Sequence, residues 1–167
     1  MATGVKRILG IDPGLHVTGY GVVEVTPARP IMCEAGIVSA PKGKGNMALR
    51  LLSLYNGIVE VIEQFRPSVM AVEQLYAHYK HPRTAILMGH ARGALLLAAA
   101  QHGLEVVNYS PTQVKKTITG SGRAPKDQVQ RTVQRELGLA KPLEPPDVAD
   151  ALAVALCHYY SRKLKSL

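Results

Sequence analysis

Ile8-Leu9-Gly10-Ile11-Asp12-Pro13-Gly14 is the stretch on which the fold turns. Its apolar residues read as a buried strand, and Pro13-Gly14 supplies the turn chemistry that ends it. Asp12 sits at the end of that strand, where a carboxylate is costly unless a cation or hydrogen bonds compensate it. The pattern recurs at Val69-Met70-Ala71-Val72-Glu73-Gln74, another apolar run closed by an acid. It has a helical counterpart in Pro146-Asp147-Val148-Ala149-Asp150-Ala151-Leu152-Ala153. Residues three apart share a helix face, so Asp147 and Asp150 can point at one ion. If the three segments converge, four carboxylates share a pocket of the kind that hard divalent cations prefer.

Outward from Asp12, residues 7–11, 17–25 and 31–39 read as strands, apolar or alternating and rich in valine and isoleucine. Residues 41–45 read as a loop. A helical period then runs from Asn46, a candidate cap, to Phe65, with Leu49, Leu52, Tyr55 or Asn56, Val59, Ile62 and Phe65 on one face. Pro67 stops it. Residues 68–73 form a short strand buried on both faces, and residues 76–83 a polar, basic, aromatic loop. Residues 84–101 form a long helix of small and apolar residues ended by Gly103. A strand over 105–109 follows, then short helices over 111–117, capped by Ser110, and 126–137, and a closing helix over 147–164. Three strands followed by alternating helix and strand predict an α/β fold, a five-stranded mixed sheet flanked by helices. No linker, repeat or low-complexity block divides the chain, so residues 1–167 are read as a single domain.

Composition narrows the partners. Twenty lysines and arginines against twelve acids leave a net charge of +8. That favours a polyanion, either nucleic acid or an anionic membrane surface, unless the protein is merely basic. The longest apolar run, Gly93 to Ala100, is far short of the roughly 20 residues a membrane span needs. The apolar run after Lys6 and Arg7 is cut short by Asp12, which is no secretory signal. Cys33 and Cys157 fall in apolar strings without motif spacing and are expected as buried free thiols in a reducing cytoplasm.

Each acid has a plainer explanation. Aspartate before Pro-Gly is a common turn residue, and Asp147 and Asp150 suit the positive end of a helix dipole. The dipole does not explain why residues 151–157, which follow, are so apolar. Taken together the four favour a metal site. Two divalent ions about 4 Å apart can clamp a phosphodiester, one activating water and the other stabilising the leaving oxygen. Magnesium is the expected ion, because it keeps waters and pairs with phosphate.

The segments Leu9-Gly10-Ile11-Asp12-Pro13-Gly14, Thr18-Gly19-Tyr20-Gly21, Glu73-Gln74, Ala91-Arg92-Gly93, Gln113-Val114-Lys115 and Asp147-Val148-Ala149-Asp150-Ala151-Leu152-Ala153 occur in order along nearly the whole chain. This series resembles the RuvC family of crossover junction endodeoxyribonucleases, the bacterial Holliday junction resolvases. The resemblance implies a ribonuclease H-like fold. It also implies a homodimer that nicks two strands of a four-way DNA junction symmetrically in recombination and repair, working with the RuvA–RuvB branch-migration complex. Asp12, Glu73, Asp147 and Asp150 take the places of the family's metal-binding acids, with two Mg2+ per site, for which Mn2+ can substitute. Tyr76 stands where an aromatic stacks on a base near the junction centre, a contact worth roughly 1–3 kcal/mol; its plainer role is a loop anchor. Lys115 and Lys126 match basic residues that contact DNA or assist cleavage. Lys116 and Arg123 join them from their place in the same basic segment.

The helix over 84–101 is a candidate dimer patch. Gly89 and Gly93 allow close approach, and Ile86, Leu95, Leu96 and Leu97 make it apolar almost all round, as expected of a helix buried on several sides. Burial against its own sheet explains the periodicity equally well. Three other functions compete with junction resolution. A sugar kinase or actin-like ATPase needs two such domains. A silent nucleic-acid binding module leaves the acids unexplained. A nuclease of the same fold acting on RNA–DNA hybrid differs in substrate alone.

Overall fold

The computed structural model describes residues 5–42, 45–75 and 81–165. Tyr76, and Gly43 and Lys44 of the expected 41–45 loop, lie outside these. The elements follow in the order β1 (Arg7–Asp12), β2 (Val17–Val25), β3 (Pro30–Ser39), α1 (Met47–Phe65), β4 (Val69–Glu73), α2 (Pro82–Gln101), β5 (Glu105–Tyr109), α3 (Pro111–Thr119), α4 (Lys126–Glu136) and α5 (Pro146–Lys165). The five strands form one sheet in the order β3-β2-β1-β4-β5. β1, β2 and β3 form an antiparallel meander, whereas β4 and β5 run parallel to β1. The mixed sheet expected from the element order is therefore present.

Strand alternation divides the core. Leu9, Ile11, Val22, Met70 and Val72 face α1 and α2, meeting Ile58, Ile62, Leu95 and Ala99. Ile8, Val23, Val69 and Ala71 face the other way, toward α5 and the short helices. α5 touches β1 and β2 on one side and α3 and α4 on the other. Every residue from Ala151 to Tyr159 is buried as a result, which accounts for the apolar run that a helix dipole left unexplained.

The helix ends follow local chemistry. Asn46 caps α1 by accepting a 2.8 Å bond from the Ala48 amide. Ser110 caps α3 by accepting from Gln113 at 3.1 Å. Gly103 takes the left-handed conformation just past α2.

Four expectations are corrected. α1 buries Arg50, Leu54, Ile58, Val61 and Ile62, leaving Leu49 and Leu52 60% and 51% exposed. The helix has apolar residues on two faces, and contact with the sheet and α2 selects one of them. α2 begins at Pro82, two residues earlier than expected, because proline suits a first helical turn. Within the chain α2 is buried along a single face, at Ala91, Leu95, Ala98 and Ala99. Cys157 is buried as expected, but Cys33, on the outer strand β3, is half-buried.

Candidate active site

Asp12 and Glu73 end neighbouring parallel strands. Ile11 pairs with Val72, so the next residue of each strand emerges at the same edge of the sheet. The turn after Asp12 is pinned by Thr18, which is wholly buried. Its hydroxyl donates to the Gly14 carbonyl at 3.1 Å and accepts from the Gly14 amide at 3.3 Å.

The helical acids reach this edge because α5 lies almost on the strand backbones. A Cβ at Gly10 would stand 2.1 Å from the Ala151 carbonyl oxygen, and one at Gly19 would stand 2.2 Å from that of Asp147. Gly10 is on β1 and Gly19 is the β2 partner of Asp12. Two residues without side chains thus let the first turns of α5 settle beside the acid of β1.

The result is a cleft of about 230 Å3, lined by Asp12, Glu73 and Asp150, by Lys115 and Lys126, and by Pro111, Val114, Val129 and Ala153. Asp147 is beside the cleft, over Gly19. Burial, then the charges of Asp150, Glu73 and Asp147, push the Asp12 carboxyl up to about 7, against the opposing pull of Lys126. Burial and Asp150 also raise Glu73, while Lys115 and Lys126 act to lower it. The Lys126 ammonium lies 2.9 Å from Asp150 Oδ2, and the hydrogen bond to that carboxylate is the largest of the effects that raise its own pKa. Among the described residues, no three acids, histidines or cysteines are drawn into a ready-made metal cage. The acids share one electrostatic field, and a lysine is held among them.

The structure therefore brings together Asp12, Glu73, Asp150, Lys115 and Lys126, with Asp147 adjacent. Lys116 and Arg123 are exposed and do not line the cleft. Sequence reasoning passed over the roles of Thr18, Gly10 and Gly19, although all three lie in segments it singled out.

A mixed five-stranded sheet, with acids at the ends of its first and fourth strands and on the closing helix, defines a ribonuclease H-like protein with an acidic cleft. The chain belongs to the RuvC family. The model of crossover junction endodeoxyribonuclease RuvC matches residues 8–158. The chain is 49% identical to the enzyme of that name from Rhodopirellula baltica over 153 residues, 92% of this chain and 85% of the relative. It superposes on the solved Thermus thermophilus RuvC structure with a TM-score of 0.84, at 35% identity, covering 94% of this chain and 96% of that one. The T. thermophilus RuvC complex with Holliday junction substrate gives a TM-score of 0.87, also at 35% identity, covering 95% and 96%.

Proposed function

We propose that this chain is a single-domain nuclease that resolves four-way DNA junctions by paired, metal-dependent nicking of two strands, with Asp12, Glu73, Asp147 and Asp150 holding the metal. The observation that carries the reading is the convergence of Asp12, Glu73 and Asp150, from two strand ends and one helix, in a cleft that also holds Lys115 and Lys126, with Asp147 beside it. The donor set fits a hard divalent cation: all its donors are oxygens, and burial with the neighbouring acids raises the Asp12 pKa to about 7 despite Lys126, a shift that a bound cation would offset. Two Mg2+ per site, or Mn2+ in their place, would supply an activated water and charge neutralisation at the scissile phosphate. Lys115 and Lys126 draw phosphate toward a cleft whose acids would otherwise repel it. Thr18 holds the turn after Asp12, so that this carboxylate keeps its place as the backbone approaches. Lys116 and Arg123 extend the positive surface outside the cleft. Tyr76, three residues beyond Glu73, is assigned base stacking at the junction centre.

Paired nicks require two sites related by a two-fold axis, which a homodimer provides. Ile86, Gly89, Gly93 and Leu97 fall on one stripe of α2 at helical spacing. Ile86 and Leu97 are 62% and 53% exposed, and nothing within 4 Å faces Gly89 or Gly93. That stripe is assigned to a second copy of the chain. Among the described residues no helix is long and apolar enough to cross a membrane. A place in the cytoplasm beside RuvA–RuvB goes with this function. The test incubates the protein and an Asp12→Asn variant with Mg2+ and a synthetic four-way junction, linear duplex or RNA–DNA hybrid. Paired symmetric nicks on the junction alone, absent in the variant, are expected. Equal cleavage by the variant would refute the site assignment.

A further inference from the structure

Lys126 is the first residue of α4. Val129, Thr132 and Val133 of that helix are buried, and α4 packs on α5. The packing fixes the backbone of Lys126 over the first turns of α5, where Asp150 lies. The next residue, Asp127, is engaged with Arg131 within its own helix. The Lys126 ammonium reaches into the cleft and takes an oxygen of Asp150 at 2.9 Å, yet its side chain is 62% exposed and free to swing outward. An ammonium and a divalent cation seek the same carboxylate oxygens by the same attraction, and each repels the other.

We propose that Lys126 is an internal counter-ion which competes with the divalent cation for Asp150 until a DNA phosphate draws the ammonium away. The inference rests on the metal-site assignment above. It makes Lys126 a handover residue: paired with a carboxylate in the free protein, and with a phosphate once DNA is bound. Metal and DNA binding then become cooperative without any movement of the backbone. By linkage, DNA raises metal affinity by the factor by which metal raises DNA affinity. A nuclease built in this way holds its metal loosely until its substrate arrives.

The test measures Mn2+ binding to the full chain without DNA, from the electron paramagnetic resonance signal of free Mn2+. It compares the wild type with Lys126→Met, Lys126→Arg and Asp12→Asn. Lys126→Met is expected to bind Mn2+ about two- to fivefold more tightly, the range an exposed ion pair provides. Lys126→Arg keeps the charge and is expected to bind as the wild type does. Equal or weaker binding by Lys126→Met overturns the proposal, as does tightening in both lysine variants, which would make side-chain shape the cause. Failure of the wild type and Lys126→Met alike to bind, or binding unaffected by Asp12→Asn, is a distinct result that overturns the metal-site assignment beneath it. Thermal midpoints of the lysine variants check that they are folded.

Discussion

Asp12→Asn should stabilise the free protein, and more so as the pH rises. The Asp12 carboxyl moves from its ordinary 3.8 to about 7 in the fold. That is roughly 3 pH units, or ~4 kcal/mol against the charged form. Water entering the open cleft reduces this to about 2 kcal/mol. The folded state holds the proton more tightly than the unfolded chain does. Its advantage is therefore complete below 3.8 and lost as the pH rises through about 7. Asparagine has the same shape and no charge, so it escapes the loss. For a chain of this size about 2 kcal/mol corresponds to ~4–8 °C in Tm. The assay is thermal unfolding followed by circular dichroism in EDTA, at pH 5 and pH 8. At pH 8 the variant should melt higher by that amount, and at pH 5 by roughly a third of it. Added Mg2+ should raise the wild-type Tm at pH 8 and have little effect on the variant. Equal melting of the two proteins at pH 8, or a gain independent of pH, would refute the claim that uncompensated charge dominates the cleft.

Gly10→Ala puts a methyl group 2.1 Å from the Ala151 carbonyl oxygen. It should cost about 1–3 kcal/mol and displace α5; urea unfolding and junction cleavage should both fall, and retained cleavage would show that the helix does not depend on this contact. Tyr109→Phe removes a buried 2.7 Å hydrogen bond between Tyr109 and His158, which ties the strand beside Glu73 to α5. The expected loss is about 1–3 kcal/mol in urea unfolding, and an unchanged midpoint would remove the bond from the stabilising set. Leu97→Glu puts a charge on the exposed stripe of α2 and should yield monomers in sedimentation velocity, with single rather than paired nicks. A variant that still sediments as a dimer would place the interface elsewhere.

The strands and their closing acids were legible because a run such as Val69 to Val72 has few other fates. Four apolar residues bounded by Ser68 and Glu73 fit a strand covered on both sides. Local chemistry also announced the caps at Asn46 and Ser110 and the stop at Gly103. The face of α1 was not legible, because Leu49 and Leu52 continue an apolar period as well as Leu54 and Ile58 do. Only contact with β3 and α2 decides between them. The helix of residues 84–101 was legible as a candidate patch, but which of its faces stays exposed was not, for a related reason. Apolar content reports that a surface will be covered, not whether the chain's own sheet or another molecule covers it.

The sequence by itself determined the alternation of elements, the acids at their ends and, through the ordered series from Leu9 to Ala153, the family. These are properties of residue type and local spacing, which the chain carries whether folded or not. Tertiary structure alone decided that β4 inserts between β1 and β5, bringing Glu73 beside Asp12. It also decided that Gly10 and Gly19 admit α5 to the strand backbones, and that Lys126 answers Asp150. Each of these joins residues far apart in sequence through close packing, and spacing along a chain does not encode distance across a fold.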